Sequence, residues 1–190
     1  MENLPVTVYV ALGAIAAAFI SGFWSLVNLI ISKDQKVSEF RQSWIDSLRQ
    51  EVSEFSGSLL SLNTSWLYFS ATHGGEDVGN EFVRQNVERI NKIESQRTSI
   101  FLRLNPNEHT ELISQLEDLE RMYTSPNSLQ SGSFNTALEH FVEEVQKELK
   151  KEWERVKSGE KSFRYTRNFL LASFIFAGLA GIYLIKQLYA

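Results

Sequence analysis

The sequence predicts an all-α protein in which two transmembrane helices are continuous with an antiparallel four-helix bundle on the cytoplasmic side of a membrane. Three observations predict this fold class. Both ends of the chain are apolar, the polar middle repeats apolar residues every three or four positions, and basic residues border both apolar ends. The expected parts are an outer amino terminus (1–5), a first span (6–31), the bundle (32–166), a second span (167–187) and an outer carboxyl terminus (188–190).

The first predicted span is a segment of 26 residues, from Val6 to Ile31, that contains no charged side chain. As a helix it would be roughly 39 Å long, which exceeds the hydrocarbon core of a bilayer, roughly 30 Å. A secretory signal peptide is the alternative, but its amino-terminal region should be basic, and the only charged side chain before Val6 is Glu2. We therefore expect a true span.

The second predicted span is shorter, with 17 uncharged residues from Phe169 to Ile185. This length is at the lower limit for a transmembrane helix. Lys186 can extend to the interface, and Tyr189 suits that position. A buried helix of a soluble domain is the alternative, and the basic residues before this segment argue against it.

Basic residues predict the orientation of both spans, because lysine and arginine concentrate on the cytoplasmic side. The outer ends carry only Lys186 and the terminal amine. We therefore expect a multi-pass protein of a bacterial inner membrane, with both termini periplasmic and the central domain cytoplasmic. The inner flanks carry Lys33, Lys36, Arg41, Lys157, Lys161, Arg164 and Arg167.

The polar middle contains four blocks with helical spacing of apolar residues. The first block is expected to continue the first span without a break and to end near His73, where Gly74 and Gly75 follow. A polar loop is expected from Thr124 to Gly132. The expected core positions are, in block order, Val37, Phe40, Trp44, Leu48, Val52, Phe55, Leu59, Leu62, Trp66 and Phe69; Val83, Val87, Ile90, Ile93, Ile100 and Leu104; Leu112, Leu116, Leu119 and Tyr123; and Phe134, Leu138, Phe141, Val145, Leu149, Trp153 and Val156.

The turn between the second and third blocks predicts the start of a helix. Asn105 can cap that helix, Pro106 fits its first position, and Glu108 completes a capping box. Two antiparallel helices joined by a tight turn follow from this pattern. Four such helices bury their apolar stripes best as a bundle.

Small side chains recur at four-residue spacing along both predicted spans, which lets helices approach closely in lipid. Asn28, about one turn inside the cytoplasmic boundary, needs a hydrogen-bonding partner in hydrocarbon. We expect these residues to pack the spans within or between subunits, or to line a pore formed by several subunits. The candidates are Gly13, Ala17, Ser21, Ser25, Asn28, Ser173, Ala177 and Gly181.

Composition and spacing exclude several classes of chemistry. The chain has no cysteine, so disulfides and cysteine-ligated zinc are excluded. Gly74 and Gly75 precede no phosphate-loop lysine, and Glu108 lies next to His109 rather than three residues before it, as a di-iron bundle requires. We therefore expect no metal site and no cofactor, and an enzymatic role only as an alternative.

That alternative rests on Arg103 and His109, which form an Arg-x5-His pattern on a helical domain. The spacing resembles the Arg-x4–6-His motif of HEPN ribonucleases, in which the pair, usually duplicated by dimerisation, cleaves RNA without a metal. In this chain Pro106 lies between the two, and the capping box explains the same segment. A metal-independent ribonuclease with Arg103 and His109 as catalytic residues stays open as the less favoured reading.

Basic residues cluster before the second span. They fit a cytoplasmic flank attracted to anionic membrane lipid. They also fit an anionic ligand, such as a nucleotide or oligonucleotide signal, bound where subunits of a homo-oligomer meet. The candidate ligand contacts are Lys151, Arg155, Lys157, Lys161 and Arg164.

The segment from Lys33 to Phe55, KDQKVSEFRQSWIDSLRQEVSEF, resembles a signature of small, poorly characterised bacterial two-span membrane proteins, K-x-Q-K-x-S-E-F-R-Q-x-W-I-x-x-L-R. Asn28-Leu29 before it and the later LNPNE (104–108) fit the same family. The architecture is similar to that of membrane effectors of antiphage systems, such as retron, CRISPR-accessory, cyclic-oligonucleotide and Hailong-type modules. The resemblance implies an effector that assembles or opens in the membrane upon infection.

The sequence thus favours a homo-oligomeric inner-membrane effector or ion channel of an antiphage-defence system. Its cytoplasmic helical bundle would sense a signal, and the spans would then disrupt the membrane potential and stop growth, as in abortive infection. A membrane-anchored scaffold that binds a partner protein through the bundle is the first alternative. The membrane-tethered HEPN-like ribonuclease is the second.

Overall fold

The computed structural model of the protein describes residues 5–129, 132–158 and 161–189. Throughout these residues the regular elements are all helices, which confirms the all-α prediction. Of the predicted outer termini, residues 1–4 and 190 lie outside the described residues. The helices are α1 (Val6–Thr72), α2 (Val78–Gln85), α3 (Val87–Arg103), α4 (Thr110–Tyr123), α5 (Pro126–Leu129), α6 (Gly132–Ser158) and α7 (Lys161–Tyr189).

The helix α1 is 67 residues long and contains both the first apolar segment and the first amphipathic block. No proline or glycine pair interrupts it before Gly74 and Gly75, and Gly75 takes a positive φ of 130° just past its end. Among the described residues, α1 is the one helix long and apolar enough to cross a membrane. The other predicted span falls on α7, of which the side chains at 184–189 lie outside the described residues.

The contacts divide the chain into two compact units. The core unit comprises residues 41–154, and the apolar unit comprises the described residues up to Phe40 and from Arg155 onward. In the apolar unit the large apolar side chains of both helices are exposed, as Phe19 is at 80% and Phe176 at 75%. Burial of apolar surface away from water is therefore concentrated in the core unit.

The core unit has a single buried cluster to which α1, α3, α4 and α6 all contribute. Phe55 lies at its centre and meets Tyr123 and Phe141 edge to face, with ring centroids 6.5 and 6.1 Å apart. Other members of the predicted core are also buried: Leu48, Val52, Leu59, Leu62, Trp66, Ile93, Ile100, Leu104, Leu112, Leu116, Leu119, Phe134, Leu138 and Val145.

Three predicted core positions are instead exposed. Phe40 is 77% exposed and belongs to the apolar unit, and the buried stripe of α1 begins at Ile45, whereas the predicted stripe begins at Val37. Val87 is half exposed and Trp153 is 41% exposed. Helical spacing predicts which face of a helix these residues lie on. It does not predict where the neighbouring helices end, and a residue beyond those ends stays exposed.

The second predicted block is two helices, because the chain breaks at Asn86. This residue has φ −114° and ψ 16°, and its side-chain Nδ2 donates to the carbonyl of Phe82 at 2.9 Å. An asparagine that bonds the preceding turn competes with the helical ladder. The break changes the register, so Phe82 is fully buried where the continuous helix predicted Val83.

The turn before α4 also differs from the predicted capping box. Asn105 Oδ1 accepts from the backbone N–H of Asn107 at 3.1 Å, which makes a local turn, and the helix begins only at Thr110. Asn105 Nδ2 does donate to Glu108 Oε1 at 3.1 Å. The predicted polar loop contains the short helix α5, whose Leu129 is buried.

Candidate functional site

The candidate site is a group of polar and charged side chains at the end of the core unit where the chain enters at Arg41 and leaves at Glu154. We call it the Trp44 cluster. Its members come from α1, the end of α3, the α3–α4 turn and α6, and two of them, His109 and Glu152, are buried. They are Arg41, Trp44, Glu51, Arg103, His109, Glu148, Lys151 and Glu152.

Trp44 joins α1 to the α3–α4 turn. Its Nε1–H donates to the backbone carbonyl of Arg103 at 3.1 Å, and this carbonyl is one of the last of α3, which the helix itself cannot satisfy. The indole also stacks on the imidazole of His109, with ring centroids 6.0 Å apart and planes 19° apart. The tryptophan of the Lys33–Phe55 motif therefore contacts the two residues that flank the LNPNE turn, Arg103 and His109.

His109 is buried, and its two ring nitrogens face different partners. Nδ1 accepts from the backbone N–H of Asn105 at 2.8 Å, so the neutral ring carries its proton on Nε2. Nε2 lies 4.0 Å from Glu148 Oε2. The histidine closes the turn and points its donor toward α6.

Arg103 faces another carboxylate. Its Nε donates to Glu51 Oε2 at 2.6 Å, and this hydrogen bond raises the pKa of the guanidinium above its usual range. The proposed catalytic pair is thus engaged in separate contacts, Arg103 with α1 and His109 with the turn and α6. The side-chain nitrogens of Arg103 and His109, which a ribonuclease of this kind would use in catalysis, therefore take part in contacts within the fold.

Glu152 is a buried carboxylate that the sequence analysis did not identify. Its Oε2 accepts from Nη1 of Arg41, a residue of the Lys33–Phe55 motif on α1. A buried charge is tolerated only when it is paired and hydrogen-bonded. The signal that could have found it is its spacing, since Glu152 follows Val145 and Leu149 on the apolar face of α6.

A second polar group joins α3 to α4 within the core unit. Tyr123, buried in the core, donates its hydroxyl to Glu94 Oε2, and Arg97 donates to the same carboxylate at 2.6 Å. The Arg97 hydrogen bond is the main cause of the lowered pKa of Glu94. Burial, with the nearby carboxylate, raises the pKa of Tyr123 well above its usual range.

The structure describes the side chains of four of the five predicted basic ligand contacts. Lys151 belongs to the core unit, where its Nζ donates to both oxygens of Glu148 at 2.8 and 3.1 Å. Arg155, Lys157 and Arg164 are exposed and belong to the apolar unit. The side chain of Lys161 lies outside the described residues.

The small residues predicted to pack the spans face open space within the chain. A Cβ added at Gly13, Gly178 or Gly181 would meet no atom within 4 Å, and Ala17, Ser21, Ser25 and Asn28 are exposed. The hydroxyl of Ser173 donates to the carbonyl of Phe169 at 2.9 Å, and the side chain of Ala177 lies outside the described residues. The helices α1 and α7 meet instead through aromatic rings, as Phe23 stacks on Phe174 with centroids 5.5 Å apart.

No group of three or more histidine or acidic side chains placed to hold a metal ion occurs in the described part of the chain. The chain matches no protein-family model, and neither a curated protein nor a solved structure is similar to it. What the protein does therefore has to follow from its own side chains and their arrangement.

Proposed function

We propose that the protein is a two-span protein of a bacterial inner membrane, with periplasmic termini and a four-helix bundle in the cytoplasm. The exposed apolar surface of α1 and α7 supports this placement, because side chains such as Phe19, Ile20, Phe169 and Ile175 would be unfavourable in water. The basic residues beside both segments support the orientation.

Within that membrane, the protein acts as a homo-oligomeric effector of an antiphage-defence system that lowers the membrane potential. The observation that carries this proposal is α1, a single helix that supplies both the apolar segment and one wall of the buried core. A signal that changes packing in the bundle can act on the span through that helix. The open faces around Gly13 and Gly22 are available for packing between subunits.

Topology is tested with reporter tags on the full chain. Tags at either terminus should report from the periplasm, a tag inserted at Gly74–Gly75 should report from the cytoplasm, and the chain should stay in the membrane through a carbonate wash. Release by carbonate, or termini that report from the cytoplasm, would refute the two-span topology.

Channel activity is tested by raising expression in cells loaded with a potential-sensitive dye. The native chain should depolarise the cells, and Ser21→Leu or Ser25→Leu should reduce the effect by filling the proposed pore or packing face. Leu29→Phe is the matched control, since Leu29 is an exposed apolar residue of the same helix. Unchanged potential at every expression level of the native chain would count against an effector that acts by depolarisation.

A membrane-anchored scaffold is the second candidate, and one observation favours it. Leu60, Leu67 and Tyr68 are exposed on α1 within the core unit, where a partner protein could cover them. Purification from detergent decides between the two candidates. A second protein in fixed ratio, lost in a Leu60→Ser/Tyr68→Ser variant, would favour the scaffold, and a homo-oligomer alone would favour the effector.

A further inference from the structure

The apolar unit contains a cavity between α1 and α7 of about 290 Å³. Its walls are apolar side chains from both helices, among them Val27 and Ile30 on α1 and Leu170 and Leu171 on α7. The stacked rings of Phe23 and Phe174 belong to the same lining. A pocket with such walls excludes a polar ligand but suits a hydrocarbon chain.

The exception among the lining residues is Arg167, which lies seven positions before Phe174 on α7, about 10 Å along the helix. Among the described residues, its guanidinium hydrogen-bonds to the side-chain oxygen of the adjacent Asn168 through long contacts of 3.3 and 3.4 Å. An arginine has five donors, and its fork geometry matches a phosphate. The cavity therefore presents a cation at one end and aromatic rings at the other.

We propose that this cavity binds one acyl chain of an anionic phospholipid of the bilayer, with the lipid phosphate paired to Arg167. The proposal rests on the membrane placement proposed above, because Arg167 then lies at the cytoplasmic boundary, where phosphate groups are found. The acyl chain runs along Ile30, Val27 and Leu170 toward the Phe23–Phe174 pair. The apolar walls of the cavity are complementary to the hydrocarbon chain, and the guanidinium is complementary to the phosphate. An anionic phospholipid of the bilayer carries both groups.

The experiment uses the full chain in nanodiscs of mixed phosphatidylglycerol and phosphatidylcholine, with co-purifying lipid counted by native mass spectrometry. The native chain should retain phosphatidylglycerol in preference to phosphatidylcholine by about two- to fivefold, the range of a partly exposed ion pair. Arg167→Gln should abolish that preference. Arg164→Gln controls for the general charge of the basic flank, since Arg164 is exposed on the same helix and does not line the cavity, and this variant should keep most of the preference.

A second pair of variants tests the apolar part. Leu171→Trp should fill the cavity and remove the retained lipid of either kind, whereas Phe176→Trp, on an exposed position outside the cavity, should leave it. Circular dichroism of each variant shows whether its helices remain intact, and Arg167→Gln decides the question should Leu171→Trp fail to fold.

Different failures have different meanings. A chain that withstands a carbonate wash but retains no lipid, or one whose Arg167→Gln and Arg164→Gln variants behave alike, would overturn the lipid site and leave the membrane placement intact. Loss of self-association in Leu171→Trp with unchanged lipid retention would assign the cavity to a second copy of the chain instead. Release by carbonate would overturn both proposals together.

Discussion

At the scale of single residues, Trp44 has the clearest role in the core unit. It satisfies the Arg103 carbonyl at the end of α3 and covers the ring of His109, so one side chain fixes the α3–α4 turn against α1. The motif resemblance covered Trp44 and the LNPNE turn as separate segments of the sequence. Trp44 contacts the residues on both sides of that turn, Arg103 and His109, and this gives a physical reason for both segments to occur in one chain.

Replacing Trp44 with phenylalanine removes the indole donor while keeping an aromatic ring. We expect a loss of about 1–2 kcal/mol in the free energy of unfolding, because the buried carbonyl of Arg103 loses its partner. The measurement is thermal or urea unfolding of the detergent-solubilised chain, followed by circular dichroism. Tyr68→Phe, at an exposed position of the same helix, should change stability by less than about 0.5 kcal/mol, and equal effects of the two variants would contradict this role.

Glu94 makes a prediction about pH. Its pKa is lowered in the folded chain, chiefly by the hydrogen bond from Arg97, so its contribution to stability is present above its unfolded pKa, about 4.3, and is lost as the pH falls through the lower folded value. Glu94→Gln should therefore destabilise the protein at pH 7 by about 0.5 kcal/mol, a small effect because the carboxylate is partly exposed.

The difference between Glu94→Gln and the native chain should shrink as the pH falls from the unfolded pKa toward the lowered folded pKa of Glu94, because the native carboxylate then becomes protonated. Melting temperatures from pH 7 down to pH 3 measure it. Glu117→Gln, on an exposed position of α4, is the control and should show no such convergence. A difference that grows toward low pH would show that the Arg97 contact is not the source of the effect.

At the scale of elements, spacing in the sequence predicted the long helices because apolar residues every three or four positions can be buried together only on a helix. The break at Asn86 was not predicted, because Val83, Val87 and Ile90 fit one uninterrupted period. The side chain of Asn86 overrides that period through its bond to the Phe82 carbonyl. The burial of Glu152 was missed because it depends on a residue that is distant in the sequence. Glu152 accepts a hydrogen bond from Arg41, 111 positions away, and helical spacing does not reveal such a partner.

Phe55 tests whether α1, α4 and α6 share one core. The side chain is fully buried between Tyr123 and Phe141, so Phe55→Ala should cost about 3–5 kcal/mol through lost burial and the cavity it leaves. Leu60→Ala, five positions along the same helix and half exposed, should cost much less. Unfolding in urea compares the two, and similar midpoints would mean that α1 does not pack as described.

At the scale of the whole molecule, the sequence predicted the division into apolar ends and a polar, core-forming middle. The structure places the borders at Phe40 and Glu154, inside the predicted bundle of 32–166. Those borders depend on where helices find partners, and charge and spacing do not reveal this. The border also falls between two candidate ligand residues of α6, since Lys151 lies in the core unit and Arg155 in the apolar unit.

The division itself predicts that residues 41–154 fold without the rest of the chain. Every member of the buried cluster lies within this range, from Leu48 to Val145, and the Arg41–Glu152 pair is also inside it. Apolar burial is the main favourable term in folding, so a unit that keeps all of its buried core should keep its stability.

Expressed alone, the fragment 41–154 should be soluble without detergent, helical by circular dichroism and cooperative in thermal unfolding, and a Phe55→Ala version should melt at a lower temperature. If the fragment aggregated or unfolded without a transition, α1 and α6 would need their apolar extensions to fold, and the borders at Phe40 and Glu154 would not mark an independent domain.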